Sequence, residues 1–322
     1  MTSPSGLLAD IGGTHIRFAL VTGEIIEPLA TLRCADFAGP VPAARAALGD
    51  LRPEWGAFAV AAVPEGDIMD VVNSGWRFSV EETRRALGLV RLEVVNDFTA
   101  VALSLPLLVA EQRLPMGGGT AVPQAPMAVL GPGTGLGVSS LVPVTGGGWV
   151  PLATEGGMVT LAAADEAEAL ILARLRREHG HVPAELLLSG SGLVVLYRVL
   201  AEMAGTAPDP LAPDQVAARA MAGQCRFCVK ALDHFFALLG TVAAGLALSV
   251  GARGGVFLAG GILPRMAETL GRSRFRARFE DQGRFAPYLA AIPVWLITDP
   301  CPAFTGLRFL ARAWAPANRD RA

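Results

Sequence analysis

Apolar residues run in short blocks along the chain, and the breaks between them follow one order twice. Leu7 to Ala9 ends at Asp10, turns through Ile11-Gly12-Gly13-Thr14, and resumes from His15 to Val21. Two such runs around a glycine turn predict a β-hairpin. That excludes the strand-to-helix opening of a Rossmann or P-loop protein. A helical stretch follows around Pro42 to Leu48, with the proline in the first turn. Ala57 to Val63 reads as a buried strand stopped by Pro64, and Ser79-Val80-Glu81-Glu82 resembles the capping box that opens a helix. Leu92 to Val95 is a further strand with Asn96-Asp97 at its carboxyl end, and Ala100 to Leu108 reads as helix. The Gly- and Pro-rich stretch Leu114 to Pro126 is the best linker or loop candidate. Beyond it the opening pattern returns: Met127 to Leu130 is a strand, Gly131-Pro132-Gly133-Thr134-Gly135 a turn, and Leu136 to Val142 a second strand. Helices are predicted over 165–177, 192–203, 214–221 and 227–248, and a strand from Gly255 to Ala259 runs into Gly260-Gly261. Each half therefore begins with a hairpin around a Gly-Thr turn, a repeat of architecture rather than of sequence.

Composition narrows the function. A chain of 322 residues, 52% apolar and 17% charged, accommodates about two domains on the usual length prior. Its net charge of −2 offers no footprint for nucleic acid or an anionic membrane. Phe235 to Ala252 approaches the length of a membrane span, yet lacks interfacial Trp and Tyr and reads as a buried helix. Four cysteines without a secretion signal point to a reducing compartment, the cytoplasm. Lys230 is the single lysine. That rules out the Gly-Lys-Ser/Thr phosphate loop, the kinase strand lysine and most Schiff-base sites. Phosphate chemistry here would rest on glycine backbone, hydroxyls and metal.

Candidate chemistry follows the turns. Glycine at Gly12, Gly13, Gly133 and Gly135 exposes backbone N–H groups that can face one anion, and the Thr14 and Thr134 hydroxyls add donors. Asp10 suits the Mg²⁺ of a phosphate chain or stabilises its own turn. Asp97, at a strand tip where open α/β sheets place ligands, could take a proton from an attacking alcohol or cap the following helix. Glu155 and Glu185 lie in apolar or glycine surroundings, where a carboxylate needs a partner. Vicinal sugar hydroxyls or an arginine would each serve. Asn73, in Asn73-Ser74-Gly75-Trp76, lines a sugar site or ends a loop. Gly260-Gly261 admits a flat ligand or makes a tight strand-to-helix connection. Cys225 and Cys228 have redox or half-zinc spacing, but without a third ligand or a thioredoxin context they read as structural thiols within a helix.

Taken in order, these segments resemble the bacterial glucokinases, in the hexokinase branch of the actin-like ATPase superfamily. The resemblance runs from about Leu7 to about Leu310. It rests on Leu8 to Thr14, Val95 to Ala100, Gly131 to Gly137, Glu155 to Gly157, Leu188 to Leu193 and Val256 to Ile262, and relatives carry a similar cysteine pair. It implies a two-domain α/β fold with the active site in the interdomain cleft. A smaller domain would span 1–112 and a larger one 113–322, with the carboxyl-terminal helix able to pack back on the smaller. The implied reaction transfers the ATP γ-phosphoryl group to the 6-hydroxyl of glucose, the first step of glycolysis. Asp97 would be the base, and Asn96, Asn73, Glu155 and Glu185 sugar ligands. The two Gly-Thr loops would hold phosphates, Mg²⁺ would lie near Asp10, and adenosine would lie against Gly260 and Gly261. Relatives are often homodimers, so a homodimer is an option here.

Two positions depart from the family pattern. Met158 stands where relatives usually have a sugar-binding histidine, and His15 where they often have asparagine. Met158 keeps open a kinase for another hexose. A catalytically silent sugar sensor is a second alternative, disfavoured because Asp97 and both loops are intact. A transcriptional regulator is disfavoured because so little chain precedes Asp10.

Overall fold

The computed structural model describes residues 5–63, 66–72 and 74–312. Among them two compact units separate, one drawn from Met1–Leu108 with Asp299–Ala322 and the other from Val109–Thr298.

The first unit is built on a five-stranded sheet. Its strands are β1 (Ser5–Ile11), β2 (His15–Thr22), β3 (Ile25–Arg33), β4 (Trp55–Val60) and, after a small hairpin of β5 (Ile68–Asp70) and β6 (Arg77–Ser79), β7 (Arg91–Asn96). The order is β3-β2-β1-β4-β7; β1, β2 and β3 are antiparallel, while β4 and β7 join β1 in parallel. The central strands β1 and β4 are buried on both faces, which is why they read as unbroken apolar runs. Helices α1 (Pro40–Leu48), α2 (Val80–Ala86) and α3 (Asp97–Ser104) complete the layer. Ser79 caps α2 as its sequence predicts, accepting the Glu82 N–H at 3.0 Å. Strand β3 gives no sequence signal because it is a half-exposed edge containing a proline. Pro28 sits where the register slips, between the pairs Phe18–Ala30 and Ala19–Pro28, and Leu29 is the extra residue of a bulge, a position that tolerates proline.

The second unit repeats this plan. Its strands are β8 (Arg113–Pro115), β9 (Met127–Pro132), β10 (Leu136–Pro143), β11 (Trp149–Thr154), β12 (Gly255–Leu258) and β13 (Val294–Ile297), in the order β11-β10-β9-β12-β13-β8. An antiparallel β9-β10-β11 meander followed by parallel β12 and β13 matches β1-β2-β3 followed by β4 and β7. The stretch expected as a linker or loop is a loop from Met116 onward, but one packed into the unit. Its start pairs as β8 with β13, and side chains at Gly118 and Gly119 would collide with the backbone of Ala291 and Ile292. Gly131 and Pro132, expected in the turn, complete β9 opposite Gly137 and Leu136.

The helices of this unit are α4 (Glu166–His179), α5 (Ala184–Leu187), α6 (Gly190–Met203), α7 (Pro213–Met221), α8 (Arg226–Val250), α9 (Ala267–Gly271), α10 (Phe275–Glu280) and α11 (Ala286–Ala290). Among the described residues α8 alone is long and apolar enough to cross a membrane, but it is a core helix, packed by α6, α7 and α10. Glu168 of α4 is fully buried and receives Arg278 of α10, whose Nη1 lies 2.9 Å from both carboxylate oxygens. The chain then returns to the first unit as α12 (Pro302–Arg312), which packs on α3, β1 and β4. Phe304 and Leu307 are buried there, and Gly306 meets the Ala100 carbonyl so closely that any side chain would collide.

Candidate functional site

In the first unit the parallel register brings the candidate polar groups to one end of the sheet. Ile11 pairs with Val60, and Val60 with Asn96, so Asp10, the first glycine turn and Asn96-Asp97 all lie at the carboxyl ends of adjacent strands. This is the edge at which open α/β sheets bind ligands. Helix α3 starts at Asp97, and its cap is Asn96, whose Oδ1 accepts the N–H groups of Phe98 at 2.9 Å and Thr99 at 3.2 Å. The capping task considered for Asp97 is thus met by its neighbour. Asn96 Nδ2 also donates to the Ala62 carbonyl at 3.2 Å, which leaves one side-chain N–H for a ligand. Asp97, half-buried, accepts the Phe98 N–H at 2.8 Å through Oδ1. It is the acidic residue of the first turn, where a negative charge complements the helix dipole.

Asp10 is held by Arg17, which stands opposite it in the hairpin and donates to Oδ2 at 2.9 Å. Burial pushes the Asp10 carboxyl above its ordinary value, and the Arg17 charge and hydrogen bond pull it back only in part. The first turn closes through Gly12 N–H to the His15 carbonyl at 3.0 Å. That N–H is therefore spent inside the turn, while those of Gly13 and Thr14 have no partner among the described residues.

The second unit presents the matching turn with two acids beside it. Gly133 N–H closes the turn on the Gly135 carbonyl at 2.8 Å, and the Gly190 N–H at the start of α6 bonds the Gly133 carbonyl at 2.9 Å. The N–H groups of Thr134 and Gly135 have no partner among the described residues. Docking of the α6 N-terminus on this turn was not foreseen from sequence, although Ser189, which caps α6 through the Gly192 N–H at 3.1 Å, is a readable cap signal. Glu185 reaches the same turn, with Oε2 accepting the Leu136 N–H at 2.8 Å. Any side chain at Gly135 would collide with that carboxylate. Glu155 follows β11, and the glycines after it pack on the start of β10, with Gly157 against the Leu136 carbonyl.

Among the described residues neither Glu155 nor Glu185 forms an ion pair, so the arginine explanation for these acids fails. Burial, and secondarily the Glu185 charge, hold the Glu155 carboxyl above its ordinary value. A carboxyl raised in this way takes up its proton at a higher pH than free glutamate. Glu185→Gln removes the like charge but not the burial. We expect it to lower the Glu155 midpoint in a carbon-detected NMR titration, and an unchanged midpoint would contradict the coupling.

Strand β12 ends against this turn. Gly260 has φ +87° and meets the Pro132 carbonyl so closely that a side chain is excluded, whereas the space at Gly261 is open. Close strand packing accounts for the first glycine; the second leaves backbone that a flat ligand can reach. Asn73 lies outside the described residues. Met158 ends a short 3₁₀ turn after Glu155 and is half exposed. Cys225 is not inside a helix, as its spacing suggested, but caps α8.

A family model described as glucokinase matches residues 7–314. The glucokinase of Paramagnetospirillum magneticum is 58% identical over 94% of this chain and 95% of its own length. The crystal structure of a glucokinase from an Antarctic psychrotroph superposes with a TM-score of 0.87 at 37% identity, covering 96% of this chain and 99% of that one. A ROK family glucokinase from Streptomyces griseus, in complex with glucose and AMPPNP, shares the fold at a TM-score of 0.64 and 19% identity, covering 96% and 99%.

Proposed function

The chain belongs to the glucokinase family, and from that premise we infer that it transfers the γ-phosphoryl group of ATP to the 6-hydroxyl of glucose. The family match over residues 7–314 carries this reading, and the fold is the two-unit α/β architecture of the actin-like ATPases. An ATP analogue and glucose bound together in the Streptomyces griseus protein support the same substrate pair. The enzyme would work in the cytoplasm, and homodimerisation is an assembly open to it.

Asp97 is the base. It accepts the proton of the 6-hydroxyl as that oxygen bonds to the γ-phosphorus and the bond to the bridging oxygen breaks, leaving ADP. Phosphoryl transfer depends more on positioning and charge than on covalent help. Glu155 and Glu185 accept hydrogen bonds from ring hydroxyls, Asn96 donates its remaining N–H, and Asn73 is a further sugar ligand. The uncommitted N–H groups of Gly13, Thr14, Thr134 and Gly135 face phosphate oxygens, with Gly12 and Gly133 shaping the turns and Gly261, beside Gly260, meeting adenosine.

No group of three or more His, Cys, Asp or Glu among the described residues could cage a metal. Asp10 nevertheless fits Mg²⁺, which is usually held by one or two carboxylates plus substrate phosphates and water; Arg17 engages one of its oxygens and the other would be the ligand. When bound, the ion would neutralise part of the phosphate charge.

A coupled assay with ATP and a panel of glucose, mannose, fructose and glucosamine tests the assignment. Glucose is expected to give the highest kcat/KM; another sugar ranking well above it would overturn the reading. Met158 cannot donate a hydrogen bond, so Met158→His is expected to lower the glucose KM by about two- to tenfold, the worth of one such bond. Unchanged or weaker glucose affinity would show that nothing at this position contacts the sugar.

A further inference from the structure

The cysteine pair is not used by phosphoryl transfer. Cys225 is the N-cap of the 25-residue helix α8, and Cys228 lies in its first turn. The Cys225 Sγ accepts the Cys228 backbone N–H at 3.5 Å. Cys225 is partly exposed, while Cys228 is fully buried. One cysteine is open to solvent, and the other is buried three residues further on in the same helix start. Both are free thiols, and no third ligand among the described residues makes them a metal site.

The surroundings polarise the pair. Burial would raise the Cys225 thiol. Hydrogen bonds from the Cys228 N–H and thiol and the Phe227 N–H, with the Arg219 charge, bring it below its ordinary value instead. Cys228 is pushed up to about 12 by burial, by its bond to Cys225 and by the charge there. The other groups facing them are Tyr197 of α6, Arg219 of α7 and Asp209 before α7. Asp209 pairs with Arg219 at 3.3 Å and donates its N–H to the Tyr197 hydroxyl at 2.9 Å. A partly exposed cysteine at a helix N-terminus beside arginine has the environment of a reactive thiolate.

We propose that Cys225 and Cys228 are a thiol–disulfide exchange site that accepts low-molecular-weight disulfides of the glutathione class and closes to an intramolecular bridge. The Cys225 thiolate attacks one sulfur of the small disulfide. A Cys225 mixed disulfide forms and one small thiolate leaves. Cys228 then gives up its proton to the departing thiolate or to water and attacks the Cys225 sulfur, expelling the second small thiol. Two protein thiols are oxidised to one disulfide and one small disulfide is reduced to two thiols. The spacing permits closure, because residues three apart at a helix start are neighbours.

The test uses the reduced full-length chain incubated with glutathione disulfide, acid-quenched, alkylated and mapped by peptide mass spectrometry. A 225–228 disulfide is expected to accumulate while Cys34 and Cys301 stay alkylatable. Cys228→Ser, or Cys228→Ala if the serine variant is unstable, is expected to trap glutathione on Cys225. Cys225→Ser keeps a good N-cap and is expected to slow glutathione incorporation at Cys228 by at least about tenfold, since the attacking thiolate is gone. Absence of the 225–228 bridge, or modification of Cys225 no faster than of Cys34 and Cys301, would overturn the proposal. None of these readouts depends on kinase activity.

Discussion

Asp97→Asn is expected to lower kcat by at least about a hundredfold, the lower range for loss of a general base, while glucose still binds. Asparagine keeps the size of the side chain and an oxygen that can accept the Phe98 N–H, as Asp97 Oδ1 does at 2.8 Å. Helix α3 is secured separately by Asn96, which holds both the Phe98 and Thr99 N–H groups. The substitution thus removes proton acceptance while keeping the contact with the Phe98 N–H. Steady-state kinetics give kcat, and calorimetric titration with glucose reports binding. Near-normal turnover would remove Asp97 from the base role.

The largest effect on stability is expected at the α4–α10 junction. Arg278→Met leaves the Glu168 carboxylate fully buried with only the Ala164 N–H, at 2.8 Å, as its remaining hydrogen-bond donor. Removing one partner of a buried pair costs about 3–5 kcal/mol. For a unit of this size that lowers the melting temperature on the order of 10 °C. Replacing both partners, Glu168→Leu with Arg278→Met, is expected to recover most of the loss, because an apolar pair avoids the buried charge. Asp165 also loses its 2.9 Å partner in Arg278, but it is more exposed and still caps α4. Calorimetric melts of the two variants decide the matter, and a single variant melting like the parent chain would refute it.

What the sequence made legible depended on burial and on range. Strands β1, β4, β9 and β12 announced themselves as apolar runs because central strands paired in parallel are covered on both faces, whereas β7, at a sheet edge, was legible from its short apolar run alone. Strands β3 and β11 lie at sheet edges and are largely exposed, so the same criterion passed over them. The candidate site is marked in the sequence by local chemistry: glycine turns, a strand-end Asn-Asp pair, acids in apolar surroundings. It was unreadable where distant segments meet. Nothing near Glu185 in sequence announces its bond to the Leu136 N–H, and Glu168 gives no hint of Arg278, 110 positions away. Arg17 could have been found, since pairing the hairpin about its turn sets it opposite Asp10. The division of labour between Asn96 and Asp97, cap and acid, needed coordinates.

The return of α12 to the first unit also sets an order of synthesis. Domains generally fold as units as the chain emerges. Here all of Val109–Thr298 is made before α12, so the second unit can be complete while the first still lacks a helix. During that interval α3, which begins at Asp97, has no cover on the face that Phe304, Gly306 and Leu307 later close. The unit that carries Asp97 is thus the earliest begun and the last finished. A nascent chain halted before Pro302 would hold a formed second unit and an unsealed first one.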